Sequence, residues 1–384
     1  MRNQLNVSYA PENLNVRKFS QVLGSPSQCY KFYWLEAILQ LMRDTGERSF
    51  RYEEIIDRMI INAWYTVTMF HLHLGPGREG NENSDKVETA VLTLKKAVPS
   101  LAETAGEKEI LAQLRKHRNE VYYAKNELTK NVPYRVLSPF LKITDNKAWH
   151  SRDRLIRIIH DVNQKELLPY IILNADEALD CQVVVNNEWA EWMLAEYPIL
   201  IDWINMNKVI FLQGRNPEVP GIIYKLEPPQ KRDLKNVKDL WAGVLQRQSI
   251  EDIYSRKLLN DEKYDIDHFV PWSYVAMDEV WNLIPADKSF NSSKNNRLPK
   301  WETYVNSFLD TQYRLYQLIY SDDQIHSLFQ KCRSKNLNSQ WAKDQLYIDG
   351  RSEEVFKSIL ESNLKRLYNA AVIQGYSIWD GMNA

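Results

Sequence analysis

Three short stretches decide our interpretation of this chain: YDIDHFVPWSYV at 264–275, WNLIP at 281–285 and NSSK at 291–294. In the first, Asp265 and Asp267 alternate with apolar residues, and this alternation is typical of a β-strand. Successive side chains of a strand point to opposite faces, so we expect both carboxylates on one face and His268 on the other. The stretch therefore predicts a strand that presents acidic and imidazole groups side by side.

The residues that follow predict a hairpin and a short helix. Pro271 lacks a backbone donor and is expected to end the first strand. Residues 281–285 read as a second strand that pairs with the first. Asn291 is then expected to open a helical turn that Pro299 limits.

These side chains have the chemistry needed to cut a phosphodiester bond. Hydrolysis of such a bond needs a cation to neutralise charge, a base to activate water and a group to hold the phosphate. Oxygen atoms of Asp267 and Asn291 suit Mg²⁺, which takes few protein ligands and keeps several waters. His268, with an ordinary pKa of about 6.5, suits water activation near neutral pH. Lys294, one helical turn after Asn291, can contact a phosphate.

The three stretches resemble the HNH (ββα-metal) endonuclease motif, and most closely the HNH domain of RNA-guided CRISPR effector nucleases. They share with it the pattern D-x-D-H-x-x-P-x-S and the spacings of 14 and 23 residues from His268 to Asn282 and Asn291. The resemblance implies Asp267 and Asn291 as ligands of Mg²⁺ or Mn²⁺ and His268 as general base. It implies that Asn282 ties the loop and that Lys294 contacts phosphate. The third letter of the motif is Asn, a known variant.

No zinc is expected, although many HNH proteins carry a structural zinc held by two C-x-x-C pairs. Cys29, Cys181 and Cys332 are isolated from one another in the sequence. The motif must then be supported by apolar packing. We predict four aromatic supports: Trp272, Tyr274, Trp281 and Phe290.

Composition places limits on the whole chain. The 384 residues allow two to three domains, and the net charge is only −1. A nuclease that acts alone and without sequence preference usually carries a basic surplus, so DNA affinity here must come from local patches, a partner or a recognition step. Unpaired cysteines fit a reducing cytoplasm. The chain shows no apolar run near 18 residues and no signal peptide, so we expect no membrane contact.

We predict a mainly α fold with a small ββα-metal core. The four predicted regions are a helical N-terminal region at 1–165, a mixed connecting region at 166–247, the nuclease core at 248–300 and a helical C-terminal cap at 301–384. Short strands are expected near 170–173 and 183–185, and another at 208–213. The apolar helix that begins near Gln28 is interpreted as a buried core helix rather than a base-stacking surface.

Several basic segments could bind phosphate. We prefer the segment just before the core, and the nucleic-acid contacts that we predict are Lys225, Lys231, Arg232, Lys235 and Arg297. Basic helices at 115–125 and 152–157 are alternatives, although a solvated helix face explains the former better. His71 and His73 could chelate a metal, but no cysteine or carboxylate cluster supports that interpretation.

The predicted function is a divalent-metal-dependent HNH endonuclease acting on DNA. Segments that flank the motif, near 27–34 and 214–217, resemble bacterial HNH proteins associated with phage defence, so a role against foreign DNA is expected. Two alternatives stay within the enzyme class: a CRISPR surveillance subunit whose partners and guide RNA supply recognition, and a restriction enzyme that reads modified bases. A third alternative is a catalytically inert DNA-binding or assembly protein.

Overall fold

A computed structural model describes residues 5, 7, 11–24, 26–76, 85–228, 232–259 and 264–381, most of them in helices. Contacts divide the chain into two units, one formed by 1–217 with 222–228 and the other by 218–221 with 229–384. The border lies inside the predicted connecting region, 166–247. The mainly α prediction is confirmed. In the described part of the chain, no helix is both long and apolar enough to cross a membrane.

The first unit is built from helices and one small sheet. Its helices are α1 (Val16–Phe19), α2 (Tyr30–Thr45), α3 (Tyr52–Trp64), α4 (Lys86–Ala97), α5 (Glu107–Lys116), α6 (Arg118–Thr129), α7 (Val132–Arg135), α8 (Arg152–Asn163), α9 (Asn187–Ala195) and α10 (Tyr197–Arg215). Its strands are β1 (Ser49–Arg51), β2 (Tyr170–Leu173) and β3 (Gln182–Val185), which form an antiparallel sheet in the order β1-β3-β2.

Helix α2 is a buried core helix, as predicted. Phe32, Leu35, Ile38, Leu39 and Met42 recur at helical spacing and are all buried. The helix ends at Gly46, whose φ of 72° requires the left-handed conformation that glycine adopts without a steric penalty. The burial excludes these side chains from stacking on nucleic-acid bases.

The prediction of a strand at 208–213 is wrong, because these residues belong to α10. Ile204, Lys208 and Leu212 are buried at intervals of four residues, which places them on one helix face. The Lys208 ammonium lies 2.7 Å from the Glu36 carboxylate on α2. This packing overrides the strand preference of the β-branched residues in the segment. The strands predicted near 170–173 and 183–185 are confirmed.

In the residues of the second unit that the structure describes, two pairs of strands lie among six α-helices. Its helices are α11 (Lys235–Leu245), α12 (Trp272–Val275), α13 (Lys288–Lys294), α14 (Trp301–Ser321), α15 (Asp323–Arg333) and α16 (Glu353–Ile373). Its strands are β4 (Tyr264–His268), β5 (Leu283–Asp287), β6 (Leu298–Pro299) and β7 (Ile378–Trp379). Helices α14, α15 and α16 form the helical C-terminal part that the sequence predicted.

Strands β4 and β5 pair antiparallel and are followed by α13, with Asp267 opposite Ile284 in the register. The second strand begins later than predicted, because 280–282 form a turn of 3-10 helix. The helix begins earlier than predicted, because the Asp287 carboxylate accepts hydrogen bonds from the first-turn backbone and caps it. Asn291 therefore lies inside α13 rather than at its start.

The hairpin is held from outside by the C-terminal part of the same unit. The Gln312 amide on α14 donates to the carbonyls of Val280 and Leu283, at 3.1 and 2.8 Å. The last strand, β7, runs parallel to β6, and its Trp379 indole donates to the Ser293 hydroxyl on α13. These contacts fix the positions of β5 and α13.

Candidate active site

Strand β4 carries three polar side chains that lie in different environments. Asp267 and His268 are each only 5% exposed, at the end of the strand. Asp265 is more exposed, and its carboxylate lies 3.9 Å from the ammonium of Lys238 on α11. The acidic group that enters the buried cluster is therefore Asp267.

Two donors hold the Asp267 carboxylate. The Tyr254 hydroxyl donates to Oδ2 at 2.5 Å, and the Lys294 ammonium donates to Oδ1 at 3.0 Å. The ammonium also donates to the His268 carbonyl at 3.0 Å. Burial and the adjacent Asp267 carboxylate raise the pKa of Tyr254 well above its ordinary value, so its hydroxyl stays neutral and remains a donor.

The His268 imidazole lies between the carboxylate of Asp278 and the guanidinium of Arg232. Its Nε2 lies 2.8 Å from Asp278 Oδ1, and its Nδ1 lies 3.4 Å from Arg232 Nη1. Since a carboxylate only accepts hydrogen bonds, Nε2 carries the proton and Nδ1 is the acceptor. Burial lowers the pKa of His268, the nearby guanidinium lowers it further, and the bond to Asp278 opposes both.

Arg232 is held at this place by two further contacts. Its guanidinium lies 3.6 Å from Asp278 and 5.3 Å from the ring centre of Trp272. A guanidinium is a fixed, always-charged fork that suits phosphate oxygens. Beside an imidazole acceptor nitrogen, such a group can hold an anion next to a base.

Asn282 joins the two ends of the loop that follows β4. Its amide oxygen accepts from the Val270 N–H at 2.9 Å, and its amide nitrogen donates to the Val270 carbonyl at 2.8 Å. The Phe269 N–H also bonds the Asn282 carbonyl at 3.0 Å. Because Asn282 is fully buried, loss of either bond would leave a buried polar group unsatisfied.

The loop that carries Asp278 is fixed by residues from beyond α15. The Asn336 amide donates to the Asp278 carbonyl at 3.0 Å, and the Asn336 carbonyl accepts from the Val280 N–H at 2.8 Å. Glu279 is buried, and its carboxylate accepts from the Asn338 N–H at 2.9 Å. Asp278 is thereby presented to His268 by a rigid loop.

Helix α13 brings the remaining two candidate residues to the hairpin. Lys294 is 1% exposed and reaches Asp267. Asn291 is half-buried one turn earlier, so its side chain projects from the same face of the helix. The helix thus directs the Lys294 ammonium toward the strand that carries Asp267.

The four predicted aromatic supports are all in contact with other elements of the unit. Tyr274 and Trp281 are buried, and their rings lie 5.7 Å from Tyr376 and 5.1 Å from Trp341. Trp272 and Phe290 are half-buried. Further support comes from Trp379, which contacts the rings of Phe290, Tyr254 and Tyr304.

The predicted phosphate contacts are separated by the fold. Lys225 is 0% exposed in the first unit, so its ammonium is not available to a phosphate on the surface. Lys231 lies outside the described residues. Lys235 is exposed and paired with Asp239, and Arg297 donates to main-chain carbonyls of α13. Of the predicted contacts that the structure describes, Arg232 is the one that lies beside the imidazole.

The alternative basic segments have partners in the described structure. Lys125 is buried against Asp57, and Arg154 pairs with Asp145. His73 contacts Glu88 at 3.1 Å, but the described residues contain no group of three or more His, Cys, Asp or Glu side chains that could hold a metal ion.

Sequence reasoning missed two residues that contact the site. Tyr254 precedes the motif and Asp278 lies in the loop between the strands, and neither belongs to the pattern that identified the others. In the folded structure, the Tyr254 hydroxyl contacts Asp267 and the Asp278 carboxylate contacts His268. The sequence shows that a tyrosine and an aspartate lie near the motif, but it does not show which residues they contact.

A family model described as HNH endonuclease matches residues 249–300. The match spans α12, α13 and both strands of the hairpin. It includes Tyr254, Asp267, His268, Asp278, Asn282, Asn291 and Lys294, but not Arg232. No curated protein and no solved structure matches the chain. The chain therefore carries an HNH endonuclease domain, which implies nuclease activity and a DNA substrate.

Proposed function

We propose that this protein is a divalent-metal-dependent endonuclease that hydrolyses DNA phosphodiester bonds, with His268 as general base. The observation that carries the proposal is the position of the imidazole. Its Nε2 is engaged by Asp278, and its Nδ1 is an acceptor that faces the Arg232 guanidinium. A base and an anion-binding group are therefore adjacent.

In the proposed reaction, His268 Nδ1 accepts a proton from the attacking water. Asp278 keeps the imidazole in the required tautomer and stabilises the imidazolium that forms. The water oxygen then bonds to phosphorus as the 3′-oxygen leaves, and the product carries a 5′-phosphate, as the resemblance to HNH nucleases implies. Arg232 holds a non-bridging phosphate oxygen within reach of the base.

Asp267 and Asn291 are the residues that would hold Mg²⁺ or Mn²⁺. Each oxygen of the Asp267 carboxylate accepts one hydrogen bond and retains a second lone pair, so the carboxylate can still ligate a cation. The Asn291 amide adds a second hard oxygen, and Mg²⁺ needs only one or two protein ligands. When bound, the ion supplies neutralisation of charge on the phosphate and on the leaving oxygen.

Lys294 is proposed to contact the phosphate when DNA is bound. In the described structure its ammonium bonds Asp267 and the His268 carbonyl. Both groups lie beside the place where a phosphate would enter, so a rotation of the lysine stem suffices to move the charge. Lys235, which is exposed, and Arg297, three residues after α13, would add weaker contacts with the backbone of the DNA.

One HNH site cuts one strand, so a nick is the expected unit event. We propose defence against foreign DNA as the biological role and the cytoplasm as the location. Three cysteines that are buried and free agree with a reducing compartment. The net charge of −1 keeps open the alternative that the chain acts as a subunit of a guide-RNA complex, whose partners supply DNA affinity. An inert DNA-binding protein is the alternative that the first experiment tests.

The test is relaxation of supercoiled plasmid by the purified full chain with Mg²⁺ or Mn²⁺, and with EDTA as the metal-free control. Nicking is expected from the wild-type chain and lost in His268→Ala. His150→Ala is the matched control, since His150 is exposed and lies in the first unit. Nicking that persists in His268→Ala would reject the assigned base. Wild-type protein that is silent with every metal would reject a nuclease that acts alone.

A further inference from the structure

A polar cleft in the first unit has no role in the proposed chemistry. It has a volume of about 620 Å³ and is bordered by the start of α2, the start of α4 and the segment from α6 to α7. This volume lies within the range of roughly 300–1,000 Å³ found for small-molecule sites. The cleft is far larger than one phosphate ion needs and too small to admit a DNA duplex.

Three cations line this cleft: Lys31, Lys86 and Arg135. In the part of the chain that the structure describes, none of the three lies within ion-pair distance of a carboxylate. Among the described residues that line the cleft, Glu127 is the one acidic residue, and its carboxylate pairs with Lys130. This described lining therefore has an excess of positive charge, although the whole chain is nearly neutral.

Two of these cations make further contacts at the border of the cleft. The Arg135 guanidinium lies 4.1 Å from the ring centre of Trp149, and the Lys31 ammonium donates to the Val22 carbonyl at 3.2 Å. Burial, with a smaller contribution from Arg135, lowers the pKa of Lys31 to about 8. A fold that holds like charges together gains free energy when an anion neutralises them.

The rest of the lining suits an organic ligand. Leu128 and Val132 are buried and provide an apolar floor, and Tyr30 presents a half-buried ring. Gln28 and Asn131 add neutral hydrogen-bonding groups. A bare anion would leave the apolar and aromatic walls unused, whereas a phosphorylated molecule of nucleotide size would contact both parts.

We propose that this cleft binds a small phosphorylated ligand of nucleotide size, whose phosphate is held by Lys31, Lys86 and Arg135. The inference does not depend on the nuclease activity, since all its residues lie in the first unit. It assigns a ligand-binding function to a region that the HNH match does not cover.

The test is isothermal titration of the full chain with inorganic phosphate, AMP and ATP, in EDTA so that no metal bridges a phosphate to the HNH site. At least one nucleotide is expected to bind with a stoichiometry of one, and more tightly than phosphate. Lys86→Ala and Arg135→Gln are each expected to weaken it by about tenfold or more, because each removes a charge-assisted hydrogen bond. Lys116→Ala, an exposed lysine of the same unit, should leave the affinity unchanged.

Three results would overturn the proposal. One is the absence of binding by all three probes at millimolar concentration. Another is nucleotide binding that survives both Lys86→Ala and Arg135→Gln, which would place it elsewhere. The third is displacement of the nucleotide by a short DNA duplex in the same EDTA buffer, which would make the cleft part of a DNA surface. Circular dichroism of each variant separates lost binding from lost folding.

Discussion

Each unit contains one lysine–aspartate pair in which the lysine is only 1% exposed. In the first unit, the ammonium of Lys125 on α6 lies 2.5 Å from the carboxylate of Asp57 on α3. In the second, the ammonium of Lys294 on α13 lies 3.0 Å from the carboxylate of Asp267 on β4. The two pairs have the same chemistry and similar burial, yet we assign a reaction to only one of them.

The two lysine–aspartate pairs differ in the side chains that surround them. The second group near Lys125 is another carboxylate, Glu53, at 3.6 Å, so the arrangement neutralises charge between two helices. Next to Asp267 are a neutral tyrosine donor and an imidazole with its own acid. A buried ion pair is therefore weak evidence for a site, whereas an acid, a base and an orienting group in contact are stronger evidence.

The largest expected contrast is in the cleavage rate. Asp267→Asn should lower the rate of plasmid nicking on the order of 1,000-fold, because it removes the anionic metal ligand. Asp57→Asn should leave the rate per folded molecule unchanged. Initial nicking rates, divided by the folded fraction from circular dichroism, measure both. A similar loss in the two variants would remove the distinction that we draw.

The second contrast is in stability. Lys125→Met should lower the free energy of unfolding by about 3 kcal/mol, because it leaves the buried Asp57 without its cation, whereas Glu53 keeps its ion pair with Arg118. Urea unfolding of the first unit, followed by tryptophan fluorescence, measures this. The double variant Lys125→Met with Asp57→Leu should recover most of the loss, since apolar replacement of both partners removes the unpaired charge. If the double variant does not recover stability, the pair contributes to stability through more than the neutralisation of charge.

The third contrast separates the positioning of His268 from folding, and it compares Asp278 in the loop between the strands with Asp265 on β4. Asp278→Asn should lower kcat on the order of 100-fold with little change in KM for DNA, because His268 loses the charge that fixes its tautomer and stabilises its imidazolium. Asp265→Asn is the matched control, as Asp265 is partly exposed and its carboxylate lies 3.9 Å from the exposed ammonium of Lys238. An effect confined to KM would assign Asp278 to DNA binding instead.

The residues that the sequence proposed for the site are those whose positions depend on local spacing, and their roles stay predictions. Asp267, His268, Asn282 and Asn291 belong to one short segment, and a hairpin followed by a helix is enough to bring them together. Tyr254 and Asp278 could not be assigned in this way, because their contacts depend on how the chain returns to the strand. Local spacing can be read from the order of residues, whereas contacts between distant segments are visible only in the packed structure.

Predictions made from composition alone were less successful. The positive charges between Lys225 and Lys238 suggested a phosphate-binding segment, but a count of charges does not report burial. The fold encloses Lys225 completely and leaves Lys235 in solvent. The β-branched run at 208–213 likewise suggested a strand, but the burial of Lys208 against Glu36 requires a helix.

The buried Lys225 gives a smaller contrast that depends on pH. Burial lowers its pKa to about 7, below that of a lysine in the unfolded chain. Between pH 7 and about 10.5 the unfolded chain binds more protons, so this residue should make the free energy of unfolding rise with pH, by at most about 1.4 kcal/mol per unit. Urea unfolding at several pH values, in wild type and Lys225→Met, measures the difference.

Lys225→Met should reduce the rise of the free energy of unfolding with pH and leave the affinity for DNA unchanged. Lys235→Ala provides the comparison, since its ammonium is exposed and a contact with DNA would make its loss salt-dependent. Equal slopes in wild type and Lys225→Met would show that the ammonium is accommodated by its surroundings. If Lys225→Met is fully folded but binds DNA more weakly, Lys225 contacts phosphate after all, contrary to what its burial indicates.

The smallest contrast concerns metal affinity at the pair that we place in the site. The Lys294 ammonium lies 3.0 Å from the oxygen that a cation would share, so it competes with the ion for Asp267. Lys294→Met should therefore tighten Mn²⁺ binding by about tenfold, the equivalent of about 1.4 kcal/mol, while cleavage falls because the phosphate loses a contact. Titration calorimetry of metal-free protein measures the affinity, with Lys116→Ala as control.

The opposite result would be equally informative about how the two pairs differ. If Mn²⁺ binds more weakly to Lys294→Met, the ammonium serves to hold Asp267 and the His268 carbonyl in place, and its bonds resemble those of Lys125. If binding tightens and cleavage falls, the lysine exchanges the carboxylate for a phosphate during the reaction. Only the second behaviour distinguishes a pair that takes part in chemistry from one that joins two helices.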